Sequence, residues 1–319
     1  AEIAFSRPLL PSFLTANPQF QALWFGLRRL IQTRRVLVIA SDQRLVCCWE
    51  DRGQWLWRSG SWPSDSFRDG QPLQRDAVAD LLAELLLDCD VVGAQIELVL
   101  PIQGTHWRLL DGVAPELPID SVDLLAITTD LNWSLDAADS YVVITPCVDQ
   151  TLLVGCPRSL LQAWIDVVEM ADLPLRRVDW MVSSAQRGLM FEQQGWPGDI
   201  AWVFSDESSY RLVVIRACVP ELDCCIQLNN DGDLAVELRK RIAAWQSLSG
   251  SAPALAWCLC LRQELLSELE LLIDPDRGET SIDLEGLWMP NALTEDDEVQ
   301  GLQLLERLAL QGMREDLYQ

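Results

Sequence analysis

Histidine is nearly absent from this chain, with one in 319 residues, and no C-x-x-C spacing occurs. A zinc site of the usual ligand spacing is therefore not expected. Ten cysteines are present, but Cys47-Cys48, Cys224-Cys225, Cys258 and Cys260 lie inside apolar, strand-like runs. That placement predicts buried, reduced thiols in a cytosolic protein rather than a disulfide framework. Positive charge is equally scarce: 24 Lys and Arg stand against 48 Asp and Glu, a formal net charge of −24. Such a field repels phosphate backbones and anionic headgroups, so direct nucleic-acid binding is not expected. No run of 18 apolar residues occurs, which excludes a spanning helix and direct membrane insertion. The opening AEIAFSRPLLPSFLTANPQF has no cationic stretch leading into an apolar one, so it does not read as a secretory signal.

What the chain does have is apolar mass, 49% of residues, in enough length for two domains or one fold of two similar halves. After Asn17-Pro18, residues 19–35 carry a helical apolar period ending in Arg28, Arg29, Arg34 and Arg35, and basic residues there complement a helix dipole. The period then changes to that of strands. RVLVIASDQRLVCCWED and QWLWRSGSW make a three-strand meander with turns at Ala40–Gln43 and Gly53, followed by a helix in RDAVADLLAELLLDC and a strand in QIELVLPI. Beyond Pro115 and Pro118, SVDLLAITTDLNWSL reads as helix and SYVVITPCV with TLLVGCP as paired strands. SLLQAWIDVVEMADLP reads as an amphipathic helix with Ser159 as N-cap, then RRVDWMV as strand and SSAQRGLMFEQQ as helix. AWVFSD, YRLVVIRACV and LDCCIQL form a second meander, and LAVELRKRIAAWQSL, ALAWCLCL and QELLSELELLI give helix, strand, helix. An amphipathic helix closes the chain. The β-β-β-α-β order thus occurs near 36–100 and again near 201–261, a duplication of architecture without visible duplication of sequence.

These passages carry a resemblance. A duplicated βββαβα unit is the layout of the superfamily of actin, heat-shock chaperones and sugar kinases, and the sequence resembles the PilM family within it. That family is the actin-like cytoplasmic component of type IV pilus machines, related to FtsA and the cytoplasmic domain of GspL. The likeness lies in three stretches: LLAELLLDCDVVGAQIELVLPIQGTHWRLLDG; TLLVGCPRSLLQAWIDVVEMADLPLRRVDW, with its Ala171-Asp172-Leu173-Pro174 turn and Val178-Asp179; and AWVFSDESSYRLVVIRACVPELDCCIQL. It implies an α/β, actin-like fold with an added subdomain: a lead-in over 1–35, a first half over 36–190 with an insertion at about 101–180, a second half over 191–275, and an acidic linker and helix over 276–319.

The resemblance also locates where a nucleotide would sit. In the family, two Asp-Ile-Gly-type hairpins and a Gly-Gly turn grip the phosphates and adenosine. Here Ala40, Ser41, Asp42 and Gln43 stand at the first, Ser205, Asp206 and Glu207 at the second, and Leu261-Arg262-Gln263-Glu264 at the third, with no glycine in any. Side chains at glycine positions block the close backbone approach a phosphate needs, and the acids add repulsion. A bound cofactor is therefore not expected, with ATP and Mg²⁺ disfavoured. The expected role is a non-catalytic scaffold that receives the cytoplasmic tail of a PilN-type inner-membrane protein and sits at the inner face of the membrane through that partner. Asp120, Asp123, Asp130 and Trp133 are the candidate groove residues, and oligomerisation stays open. The alternatives are a divergent ATPase or kinase, whose only candidate acids at the hairpins are Asp42, Asp206 and Glu207, and an acidic adaptor unrelated to pili. Trp202 and Trp257 read as core among 14 tryptophans, whereas Trp62, Trp133 and Trp196 stand in polar loops. His106 reads as a strand residue rather than a general base.

Overall fold

The structure is a computed structural model that describes residues 34–111, 135, 139–146, 150–192, 198–206, 209–217, 219–228, 233–250, 253–262, 265–266, 269, 272–284 and 286–314. The first meander is β1 (Arg35–Ala40), β2 (Arg44–Asp51) and β3 (Gln54–Ser61), joined antiparallel. A two-residue ladder of β4 (Phe67–Arg68) and β5 (Gln71–Pro72) leads into α1 (Arg75–Asp88), and β6 (Gln95–Leu100) returns parallel beside β1. A separate antiparallel sheet follows, built from β7 (His106–Asp111), β8 (Ser140–Pro146) and β9 (Gln150–Pro157). The chain re-enters the first layer through α2 (Arg158–Met170) and β10 (Leu175–Trp180), which pairs parallel with β6, and then runs into α3 (Met181–Glu192).

The same order begins again. β11 (Ile200–Asp206), β12 (Ser209–Arg216) and β13 (Val219–Ile226) form the second meander, followed by α4 (Leu234–Ser249) and β14 (Ala256–Cys260) parallel to β11. After a 3₁₀ turn at Pro275–Arg277, β15 (Thr280–Ser281) pairs with β14. Finally β16 (Asn291–Ala292), α5 (Glu295–Gln300) and α6 (Leu304–Met313) cross back to the first sheet. The sheets read β10-β6-β1-β2-β3 and β15-β14-β11-β12-β13, the same order twice, with β16 added outside β3. The second repeat therefore takes in β15 and α6, both beyond residue 275, and the separate sheet occupies 106–157 while 158–180 belongs to the first sheet and its covering helix.

Strand alternation sorts the core into three layers. On β1, Val36, Val38 and Ala40 face α1 and α2, while Leu37 and Ile39 face the other way. On β11, Ala201 and Val203 face α4, while Ile200, Trp202 and Phe204 face the same central layer as Leu37 and Ile39. That central layer is filled by α3 and α6, which supply Val182, Ala185, Leu189, Leu305, Leu308 and Met313. The repeats are thus fused through one shared apolar layer. Trp202 and Trp257 are fully buried, as expected of core residues.

Several local expectations are corrected. α2 begins at Arg158 with Pro157 at the N-cap and no side-chain cap, because β9 runs straight into the helix, so Ser159 lies inside it. The strand at 176–182 stops at Trp180, where Met181 opens α3. Cys47, Cys48, Cys89, Cys156, Cys258 and Cys260 are free and buried, with burial raising the thiol of Cys89 to about 12 and that of Cys156 to about 11. Cys225, however, is exposed, because its face of β13 opens onto a groove instead of packing on the core. Trp62 is half-buried, stacked on Phe67 at 4.4 Å, rather than free for an interface. Residues 19–33 and 121–134, read as helical, lie outside the described residues, as do Asp120, Asp123, Asp130, Trp133, Trp196 and Glu207.

Candidate ligand cleft

The turn after β1, the end of β11 and the end of β14 open onto one cleft of about 780 Å³, lined by Ala40–Gln43, Phe204-Ser205 and Cys260–Arg262. Carboxyl ends of strands are where open α/β sheets place ligands. All three stretches that the sequence singles out meet here, although Gln263, Glu264 and Glu207 lie outside the described residues. Asp206 ends β11 in register with Ser209.

The first turn spends its polar groups on itself. The Ser41 N–H and hydroxyl both donate to the Arg44 carbonyl at 3.0 Å, Trp62 Nε1 donates to the Ser41 carbonyl at 2.9 Å, and Gln103 Nε2 donates to Asp42 Oδ1 at 2.8 Å. An N–H committed to a carbonyl is not offered to a phosphate, and Asp42 is already engaged. Among the described residues no group of three or more His, Cys, Asp or Glu is placed to hold a metal ion.

The fourth wall of the cleft comes from a segment the sequence did not flag. Residues 302–307 line it, and Arg44, the first residue of β2, reaches across to Glu306 with Nη2 to Oε2 at 2.6 Å and Nε to Oε1 at 3.3 Å. Arg44 Nη2 also donates to the Gly301 carbonyl at 2.7 Å, and its guanidinium lies 5.6 Å from the centre of the Trp57 ring. Glu306 Oε2 accepts the Gln303 N–H at 2.9 Å, so one carboxylate both caps α6 and holds the arginine. Arg307 donates to the Leu287 carbonyl, and burial pushes its guanidinium below its usual value. The remaining surface is mostly apolar, with Ile102, Met181, Phe204, Leu302 and Leu304 prominent.

A second groove of about 560 Å³ separates β7 from β13. Its rim carries His106, whose basicity is lowered first by burial and then by Arg211, and Arg211 is itself paired bidentate with Asp223 at 2.7 and 2.6 Å. His106 opens β7, the strand position read for it, and Trp107 beside it packs edge-on against Trp180 at 5.2 Å.

Two meander-first repeats around a cleft, with a small sheet inserted in the first, make this an actin-like fold. The solved structure of a PilM–PilN type IV pilus biogenesis complex matches it with a TM-score of 0.64 at 13% identity, over 88% of this chain and 98% of that one. The cytoplasmic domain of EpsL, an inner membrane component of the type II secretion system of Vibrio cholerae, gives 0.49 at 12% identity over 88% and 94% of the two chains. A Bacteroides thetaiotaomicron protein with an actin-like ATPase fold and unknown function gives 0.48 at 8% identity over 88% and 96%. No protein-family model matches the chain, and no curated protein matches by sequence. No helix among the described residues is long and apolar enough to cross a membrane.

Proposed function

We propose that the chain is a non-catalytic, actin-like scaffold of a type IV pilus or related secretion machine. In this reading it works at the cytoplasmic side of the inner membrane and binds the cytoplasmic tail of a PilN-type membrane protein. The observation that carries the non-catalytic part is the cleft: its turns lack glycine, the first turn bonds to itself, and residues 302–307 fill one wall. The partner class is suggested by the likeness to a complex of PilM with PilN, and the net charge of −24 favours a tail bearing Lys or Arg.

The test has two arms. Mg-ATP is expected to produce neither hydrolysis nor a rise in melting temperature, whereas a working site at 100 times its dissociation constant adds about 2.7 kcal/mol. A clear upward shift returns the protein to the ATPase class. Immobilised basic tails of membrane proteins are expected to capture the full chain at low salt and release it as salt rises, with Asp120→Asn, Asp123→Asn and Asp130→Asn weakening capture. Capture indifferent both to salt and to these changes places the groove elsewhere.

A further inference from the structure

The cleft stands open at about 780 Å³, a size that suits a small molecule, yet its first turn is closed to phosphate. What it offers instead is apolar surface and positive charge. Phe204 of β11 lines it with three leucines: Leu266 beyond β14, Leu302 ahead of α6, and Leu304 at the start of α6. All three leucines are only half-buried, although each packs partly on the core. A ligand that covers apolar surface inside a concavity removes it from water. The charged groups of the lining fall into two sets. Its acids are engaged: both oxygens of Glu306 are taken by Arg44 and the Gln303 N–H, and Asp42 accepts from Gln103. Its arginines are not, since among the described residues no carboxylate pairs with Arg262 or Arg307. Arg262 is exposed, so water serves it. Arg307 is half-buried, its guanidinium makes one hydrogen bond, to the Leu287 carbonyl, and its Nε is buried without a partner. A cation so placed, in a chain of 48 acids, is costly to hold without a counter-ion, and an anion entering the cleft offsets that cost.

We propose that the cleft binds a small organic anion with an apolar body, a carboxylate on a hydrocarbon frame. The leucines and Phe204 cover the body, Arg307 takes the head group, and the exposed Arg262 attracts it to the mouth. A nucleotide does not fit this chemistry, because its phosphates need the backbone N–H groups that the first turn spends on itself. The site stands on the cleft's own side chains and does not depend on which partner the scaffold binds.

Calorimetric titration of the full chain with decanoate and with decyltrimethylammonium, each below its micelle concentration, tests this. The two probes share a body and differ in the sign of the head. A net charge of −24 favours the cation over the molecule as a whole, so preference for the anion reports a local site. Decanoate is expected to bind one to one and to raise the melting temperature, with no competition from Mg-ATP. Gln43→Trp, which places an indole at an exposed position of the cleft lining, is expected to abolish that binding. Arg307→Gln is expected to weaken it by on the order of tenfold, whereas Arg241→Gln, the same loss of charge on an exposed position of α4, leaves it unchanged. The proposal is overturned if the cation binds as tightly as the anion, if decanoate binding survives Gln43→Trp, or if both arginine variants weaken it alike. Where Arg307→Gln fails to fold, the head-group comparison and Gln43→Trp decide the matter.

Discussion

Gly312→Ala and Gly188→Ala are each expected to destabilise the protein by about 3 kcal/mol or more, at the severe end for adding one methyl group. A Cβ on Gly312 would overlap the carbonyl oxygen of Ser184, and a Cβ on Gly188 would overlap the carbonyl oxygen of Leu308. Ser184 stands four residues before Gly188, and Leu308 stands four residues before Gly312. The two contacts are therefore the same contact made from each side, where the terminal helix of one repeat crosses the terminal helix of the other. Both obstructing atoms are backbone, so no rotamer change relieves the overlap and the helices must move apart. Separation would open the central layer in which Leu189, Leu305, Leu308 and Met313 are buried. In thermal melts each variant is expected to lose roughly 6–12 °C. Gly286, where an added Cβ meets nothing within 4 Å, is the control, and Gly286→Ala should leave the melting temperature nearly unchanged. Equal behaviour of all three variants would remove the crossing from the list of stabilising features.

The meanders were legible because β1, β2, β11 and β12 alternate or run apolar over lengths that only strands fit, and both are followed by a helical period. The three glycine-poor turns were legible as turns, and the fold gathers them at one cleft. What the sequence could not display was how the cleft is finished. Arg44 and Glu306 are separated by 262 positions, and neither has a local pattern that announces a partner. Glu306 could be read only as the third residue of a helix whose cap is Gln303. β15 and β16 are two residues each, too short for any period, so the closing of the second repeat and the return to the first sheet left no signal. Ser159 has the side chain of an N-cap, but the direct passage of the preceding strand into the helix puts the cap at Pro157, two residues earlier. The exposure of Cys225 left no signal because apolar neighbours in sequence do not reveal that one face of a strand meets a groove.

Glu279→Ala is expected to cost about 3 kcal/mol, because it removes the buried carboxylate of an ion pair whose arginine is partly solvated and leaves its other donors without an acceptor. The Glu279 side chain is 3% exposed and receives Arg239 through Nη1 at 2.7 Å and Nη2 at 2.8 Å. It also accepts Trp257 Nε1 at 3.0 Å and the Asp274 N–H at 3.1 Å. One carboxylate thus fastens α4, β14 and the loop leading into β15, three parts of the second repeat. Alanine leaves the guanidinium of Arg239, 5.5 Å from the Trp257 ring, facing a cavity, and strands two N–H donors. Glu279→Gln keeps an acceptor but loses the charge, and should fall between alanine and wild type. The contrast is Lys240–Glu237 on the same helix, three residues apart with the lysine 70% exposed, where Lys240→Ala should change stability by no more than about 0.5 kcal/mol. Urea midpoints at unchanged slope, measured for the three variants together, check the ordering. If Glu279→Ala matches Lys240→Ala, the carboxylate is hydrated in solution and the clamp does not hold the second repeat together.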